Sequence, residues 1–136
     1  MYRILVADGD AASRELLGQM AAMKDCQVEL VSQGAEALRT VAAGGVDVVV
    51  TEVHLPDMPA WQLVPQIHQM DPDTPVIAVT SDDSWETSRR VRIDGGPVFY
   101  YGLKPLPWRE FQQVVSSALR WRQRGRPKAV NGIGCA

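Results

Sequence analysis

Four apolar runs in this sequence each end in a residue that can hold or transfer a charged group. Ile4-Leu5-Val6-Ala7 ends at Asp8, and Val48-Val49-Val50-Thr51 ends at Glu52. Val76-Ile77-Ala78-Val79 ends at Thr80-Ser81, and a later apolar stretch leads to Lys104-Pro105. If these runs are neighbouring strands pointing the same way, two carboxylates, a hydroxyl and an ammonium meet at one edge. Carboxylates attract a hard cation such as Mg²⁺, and a carboxylate can attack phosphorus. A hydroxyl and an ammonium bind the oxygens of an anion. The set has the layout of a pocket that accepts a phosphoryl group.

Neighbouring candidates are weaker. His54 follows the third apolar run and reads as a loop histidine, and His68 as a surface histidine in a helix. Asp47 lies at the wrong end of its run and Asp57 in the loop beyond the pocket, so neither is placed to replace Glu52. Gly44-Gly45 and Gly95-Gly96 stop helices and lack the spacing and lysine of a phosphate-binding loop.

Strand-like and helix-like patterns alternate to position these residues. Ile4–Ala7 is a short continuous apolar run, as buried parallel strands are. Asp10 can cap a helix carrying Leu16, Leu17, Met20 and Met23 at three- and four-residue spacings. Val28–Val31, broken by Glu29, reads as an edge strand. Gly34 opens a helix with Ala35, Leu38, Val41 and Ala42 on one face. Val46–Thr51 is the most apolar strand and is expected at the sheet centre. After the loop His54–Pro59 comes a helix to Met70, and Pro65 predicts that it starts near Gln62 or Leu63. Val76–Val79 is the fourth strand, Ser84–Ile93 a polar helix and Val98–Tyr101 the fifth strand. Pro107 suits a first helical residue, with Phe111, Val114, Val115, Ala118 and Leu119 on one face after it. Five such repeats imply an α/β domain, a parallel sheet covered on both faces, with its ligand beyond the carboxyl ends of the strands.

The chain of 136 residues fits one domain over 1–124, followed by a loose tail over 125–136. No apolar run approaches the ~20 residues of a membrane helix. The N-terminus is too short in apolar residues and too acidic for a signal peptide, so a cytoplasmic location is expected, without a membrane partner. Cys26 and Cys135 make neither a disulfide framework nor a metal site. A net charge of −2 gives no global attraction to nucleic acid. Arg120, Arg122, Arg124, Arg126 and Lys128 have no acidic neighbour; they read as a solvated helix end complementing the dipole, against a nucleic-acid or lipid contact.

On these residues the chain resembles the receiver domains of bacterial two-component response regulators, over about Tyr2 to Arg122. Gly34-Ala35-Glu36-Ala37-Leu38, Leu55-Pro56-Asp57-Met58 and the four strand ends carry the resemblance together, by order and spacing. It implies the five-stranded, doubly wound flavodoxin-like fold with strand order 2-1-3-4-5. It also implies that Asp8 matches a metal-binding acid, Glu52 the phosphoacceptor position, Thr80 and Lys104 the phosphoryl-binding pair, and Thr80 with Tyr101 the switch. A metal would be held by Asp8, Glu52 and the backbone carbonyl of His54.

The departures define the chain. The second metal-binding acid is Gly9, the acceptor aspartate is Glu52, and the usual acidic-Gly pair of the following loop is Pro59-Ala60. Glutamate displaces the carboxylate by roughly 1 Å, a shift that can cost about 10²-fold in transfer. With one acid missing, Mg²⁺ is expected to bind weakly and no cofactor is required. The expectation is a non-enzymatic, stand-alone receiver acting through protein contacts, with Glu52 either imitating a phosphorylated aspartate or simply neutralising Lys104. The alternative is a phosphorelay receiver still modified, at Glu52 or another acid, by a histidine kinase with Mg²⁺. A third reading is an unrelated flavodoxin-like ligand-binding protein. The resemblance places the partner surface on the fourth helix, fifth strand and fifth helix, with Trp85, Arg89, Tyr101 and Trp108 as contacts; Arg90, Tyr100 and Arg109 lie in the same region. A homodimer is compatible with that surface. Trp61 is expected at the pocket rim.

Overall fold

The structure is a computed structural model that describes residues 1–125. Strands and helices alternate as β1 (Tyr2–Ala7), α1 (Ala11–Ala21), β2 (Cys26–Val31), α2 (Gly34–Ala42), β3 (Val48–Glu52), α3 (Ala60–Met70), β4 (Val76–Thr80), α4 (Trp85–Ile93), β5 (Tyr100–Leu103) and α5 (Trp108–Gly125). All pairings are parallel and the sheet order is β2-β1-β3-β4-β5, the flavodoxin-like arrangement expected. Each parallel pair needs a crossover, so the helices cover both faces of the sheet. Ile4, Val6, Val48, Val50, Ile77 and Val79 pack against α1 and α5, with Phe111 and Val115. Leu5, Ala7, Val49, Val76 and Ala78 pack against α2, α3 and Val91 of α4. The alternation of side chains along each strand feeds both layers, which is why these runs carry no polar residue until their ends.

Some local expectations shift. β5 spans Tyr100–Leu103 rather than Val98–Tyr101, in register with Ile77–Thr80 of β4. Gly102 looks like a strand breaker in the sequence, but it sits in the ladder under Leu106 and Tyr100, where a Cβ would stand 2.9 Å from Leu106 Cδ2 and from Tyr100 Cε2 and push those side chains aside. α3 begins at Ala60, with Pro65 inside it rather than in a first turn. The proline removes one helical hydrogen bond; burial of Ala60, Leu63, Val64 and Ile67 on the sheet outweighs the loss. In α1, Leu17 and Met20 are buried while Leu16 is 47% exposed, one residue off the inward face. In α2 the inward residues are Ala37, Val41 and half-buried Leu38; Ala42 is exposed. Asp10 does cap α1, accepting from Ser13 N at 2.8 Å. α5 runs through Gly125, and the rest of the expected tail, with Cys135, lies outside the described residues. Among the described residues no helix is long and apolar enough to cross a membrane.

Candidate functional site

The carboxyl ends of β1, β3, β4 and β5 open into a cavity of about 610 Å³ lined by Asp8, Gly9, Glu52, Thr80 and Lys104, among others. Parallel pairing puts these ends side by side, so residues up to 96 positions apart in sequence come into contact. Lys104 Nζ donates to Glu52 Oε1 and to Asp8 Oδ2, each at 2.7 Å. Asp8 is 1% exposed and Glu52 8%. Burial alone would lower the Lys104 pKa; the hydrogen bonds that Lys104 donates to Asp8 and Glu52 outweigh it and raise it above the ordinary value.

The remaining acceptors are occupied from the loops. Asp8 Oδ1 accepts from Asp10 N at 2.9 Å, and Asp8 Oδ2 also accepts from Ser13 Oγ at 2.6 Å. Glu52 Oε2 accepts from the His54 backbone N–H at 2.9 Å. Both carboxylates are therefore held by the protein itself: each has one oxygen on the ammonium and the other on a loop amide.

Thr80 borders the cavity, but its Oγ1 accepts from Asp82 N at 3.1 Å and makes no hydrogen bond to Glu52 or Lys104. His54 reaches the same loop: its Nε2 lies 2.8 Å from Asp82 Oδ2. This contact spans the mouth between the loop after β3 and the loop after β4. The Thr87 hydroxyl, the Ser84 backbone and side chain, and His54 hold the Asp82 carboxyl far below the usual carboxylate range. Trp61 meets the His54 ring edge-on at 6.0 Å and does not itself line the cavity.

The donor set is one acid short of the Mg²⁺ site that the resemblance implies. At Gly9, in the place of the second acid, a Cβ would stand 2.7 Å from Pro56 Cγ and 2.8 Å from Cδ, so the proline ring fills the room a side chain would need. Lys104 already bridges the two acids that remain, and the described residues contain no cluster of three His, Cys, Asp or Glu suited to a metal.

Asp57 and Asp47 stay away from the pocket as expected, while His68 and Arg122 depart from their expected surface roles. Asp57 accepts from the Gly34 and Ala35 backbone N–H groups at 2.8 and 2.9 Å, so it caps α2 and faces away from the pocket. Asp47 accepts from Arg3 N at 2.8 Å at the far end of β3. His68 is part-buried, with Nε2 2.9 Å from the Thr74 carbonyl oxygen, and is not a free surface group. Arg122 is not solvated: it donates to Asp71 Oδ2 at 2.9 Å and Thr74 Oγ1 at 3.2 Å.

The surface residues divide. Trp85 is 73% exposed on α4, with the Arg89 guanidinium 5.6 Å from its ring centroid. Tyr101 is half-buried against the α3–α4 side of the core, with Arg92 5.9 Å from its ring centroid. Its hydroxyl is buried without a hydrogen-bond partner. Burial first, then the Asp82 charge, raises the Tyr101 pKa. Trp108 is 48% exposed. It stands about 200° round α5 from Glu110, the residue whose carboxylate accepts from Tyr100 of β5 at 2.5 Å. Trp108 therefore lies on a different flank of α5 from the β5 edge.

Ser13, Pro56 and Asp82 are the site residues that sequence reasoning missed. Their signals are local and faint: Ser13 lies three residues after the capping Asp10, and Asp82 two before the capping Ser84. Pro56 stands in the Leu55-Pro56-Asp57-Met58 motif, but nothing in the sequence reports that its ring packs over Gly9.

Residues 4–115 match the family described as the response regulator receiver domain. The chain is 35% identical over 116 residues to the DNA-binding transcriptional regulator NtrC of Rhizobium meliloti, covering 85% of this chain and 24% of that protein. It thus spans about a quarter of the length of the NtrC relatives it matches. Among solved structures, the signal receiver domain of an HD domain-containing protein from Pseudomonas fluorescens Pf-5 superimposes with TM-score 0.85 at 26% identity, covering 92% of this chain and 91% of that one. A CheY-like receiver from Methanospirillum hungatei JF-1 gives TM-score 0.83 at 24% identity, covering 92% and 98%.

Proposed function

The chain belongs to the response regulator receiver domain family, and from that premise we propose that it is an atypical receiver whose output, a protein contact, is largely independent of phosphorylation. The observation that carries this reading is the Lys104 ammonium held at 2.7 Å by both Glu52 and Asp8. In-line phosphoryl transfer needs a free carboxylate at the right distance and a cation to neutralise the developing charge. Here the acceptor-position carboxylate is longer by a methylene, is bonded at both oxygens, and lacks the acid that would help hold Mg²⁺.

Two features support Glu52 as a partial imitation of a phosphorylated aspartate. Its carboxylate reaches Lys104, and Tyr101 lies inward. A phosphoryl group would offer about −1.5 to −2 charge and three acceptor oxygens; Glu52 supplies one charge and two oxygens, and Thr80 bonds to the Asp82 amide instead. The imitation thus stops at the lysine and the tyrosine. The exposed Trp85–Arg89 pair supports a protein partner on the α4 side, since tryptophan and arginine are enriched among contacts that dominate binding.

Intact mass after incubation with acetyl phosphate and Mg²⁺ tests the reading. Wild-type protein should gain no phosphoryl mass under conditions that modify an aspartate-bearing receiver. A gain on most molecules, abolished by Glu52→Gln, would replace this reading with that of a working phosphorelay receiver.

A further inference from the structure

A second surface, separate from the α4 side, is carried by the outer face of α5. Arg109, Gln112, Gln113, Ser116, Ser117 and Arg120 line a groove of about 580 Å³, together with Met23 from the connection after α1. Their spacing of three and four residues places them along one side of the helix for three turns. No acid lines this groove. The only acid of α5, Glu110, is engaged by Tyr100. Among the described residues Arg109 makes no hydrogen bond or ion pair, and Arg120 bonds only to the Ser117 hydroxyl at 3.1 Å.

This charge has no structural return. Arg122 on the same helix is clamped by Asp71, and cations near the C-terminal end complement the helix dipole. Arg109 sits in the first turn, where the dipole opposes a cation. Guanidiniums flanking side-chain amides and hydroxyls, on a chain of net charge −2, form a local positive, donor-rich strip.

We propose that this α5 groove docks an acidic segment of a partner protein. The guanidiniums would pair with carboxylates, while Gln113, Ser116 and Ser117 bond to peptide groups and Met23 supplies an apolar contact; Gln112 Nε2 is already engaged, donating to the Met20 carbonyl at 3.1 Å. A protein segment fits better than nucleic acid. Tight phosphate-backbone binders neutralise about 6–10 phosphates, and two guanidiniums on an acidic protein cannot do so. The proposal goes beyond the receiver reading and does not depend on the state of Glu52.

Titration of the ¹⁵N-labelled full chain with a deca-glutamate peptide at low salt tests it. Amide shifts should concentrate at residues 109–120 and Met23. By fluorescence anisotropy with labelled peptide, Arg109→Glu with Arg120→Glu should weaken binding by about tenfold or more, and Arg109→Gln with Arg120→Gln by less. Arg39→Glu, on α2, should leave it unchanged. The amide spectrum of each variant reports that it is folded. The proposal is overturned if no binding is seen, if shifts map elsewhere, or if charge reversal leaves the affinity intact. It is also overturned if a single-stranded DNA decamer binds the same residues as tightly as the peptide.

Discussion

At the carboxyl edge of the sheet Lys104 joins Asp8 and Glu52; at the amino edge Arg122 joins Asp71 and approaches Asp47. The two cations are similarly shielded, 18% and 12% exposed. Their surroundings differ. Arg122 spans α5, the turn after α3 and the start of β3 with a rigid fork of donors, and Asp47 in turn holds the backbone of β1 through Arg3 N. Lys104 is a point charge at the wall of an open cavity, and the groups around it come from loops. The same arrangement of charges therefore serves as a rivet at one end and as an adjustable contact at the other. Chain connectivity and the open cavity, not charge or the shielding of the cation, separate the two.

If that is right, Arg122→Ala should be the most damaging single change outside the apolar core. It strands Asp71 and Asp47 beside the Thr74 hydroxyl and should cost about 2–4 kcal/mol by urea unfolding. Lys104→Met should cost less, because Asp8 and Glu52 keep the Asp10, Ser13 and His54 donors and one of them can take up a proton at the cavity wall. Equal losses would erase the distinction between rivet and contact.

The next effect lies wholly at the carboxyl edge. Gly9→Asp, the change that restores the missing acid, drives a side chain into the Pro56 ring. It should destabilise by about 1–3 kcal/mol through overpacking. Pro56→Ala should recover part of that, with a coupling of about 1 kcal/mol in the double-mutant cycle. The same pair predicts that Gly9→Asp with Glu52→Asp gains a phosphoryl group from acetyl phosphate more readily once Pro56 is also replaced. Additive behaviour would show that the loop yields freely and that Pro56 does not guard the position.

The contrast also explains what could be read from the sequence. The strand ends were legible because buried parallel strands are continuous apolar runs, and Asp8, Glu52, Thr80 and Lys104 interrupt or close them abruptly. Parallel order then dictates that they meet. Arg122 was misread because its partner Asp71 lies 51 residues away and nothing local distinguishes it from Arg120 or Arg124. Ser13 and Asp82 act through side chains aimed across loops, which periodicity does not report. The β5 bounds moved because pairing with β4 puts Tyr100 to Leu103 in register with Ile77 to Thr80, a match that the sequence of β5 alone does not report.

Tyr101 offers a smaller effect, between the two ends. Its hydroxyl is buried without a partner, and such a group carries a desolvation cost. Tyr101→Phe should raise stability by about 1 kcal/mol and hold the ring inward. A destabilised variant would mean that the hydroxyl finds a partner in solution, and that Tyr101 samples an outward position.

The smallest effect is the pH dependence, and the two edges should divide it by sign. For Asp71, burial raises the pKa, but the Arg122 and Thr74 hydrogen bonds outweigh it and the folded value lies below the ordinary 3.8. Its contribution is complete above pH 3.8 and is lost as pH falls through the depressed folded value. For Lys104, burial lowers the pKa, but its hydrogen bonds to the Asp8 and Glu52 carboxylates raise it above 10.5. Its contribution is complete below pH 10.5 and is lost as pH rises through the raised folded value. Arg122→Ala should therefore reduce the acid limb of the stability curve and leave the alkaline limb alone, while Lys104→Met should reduce the alkaline limb and leave the part set by the raised Tyr100 and Tyr101. Urea midpoints across both limbs measure this directly. An alkaline limb unchanged by Lys104→Met would place all of that loss on groups such as Tyr100 and Tyr101, and the carboxyl-edge contact would then be too weakly held in solution to act as the charge partner of Glu52.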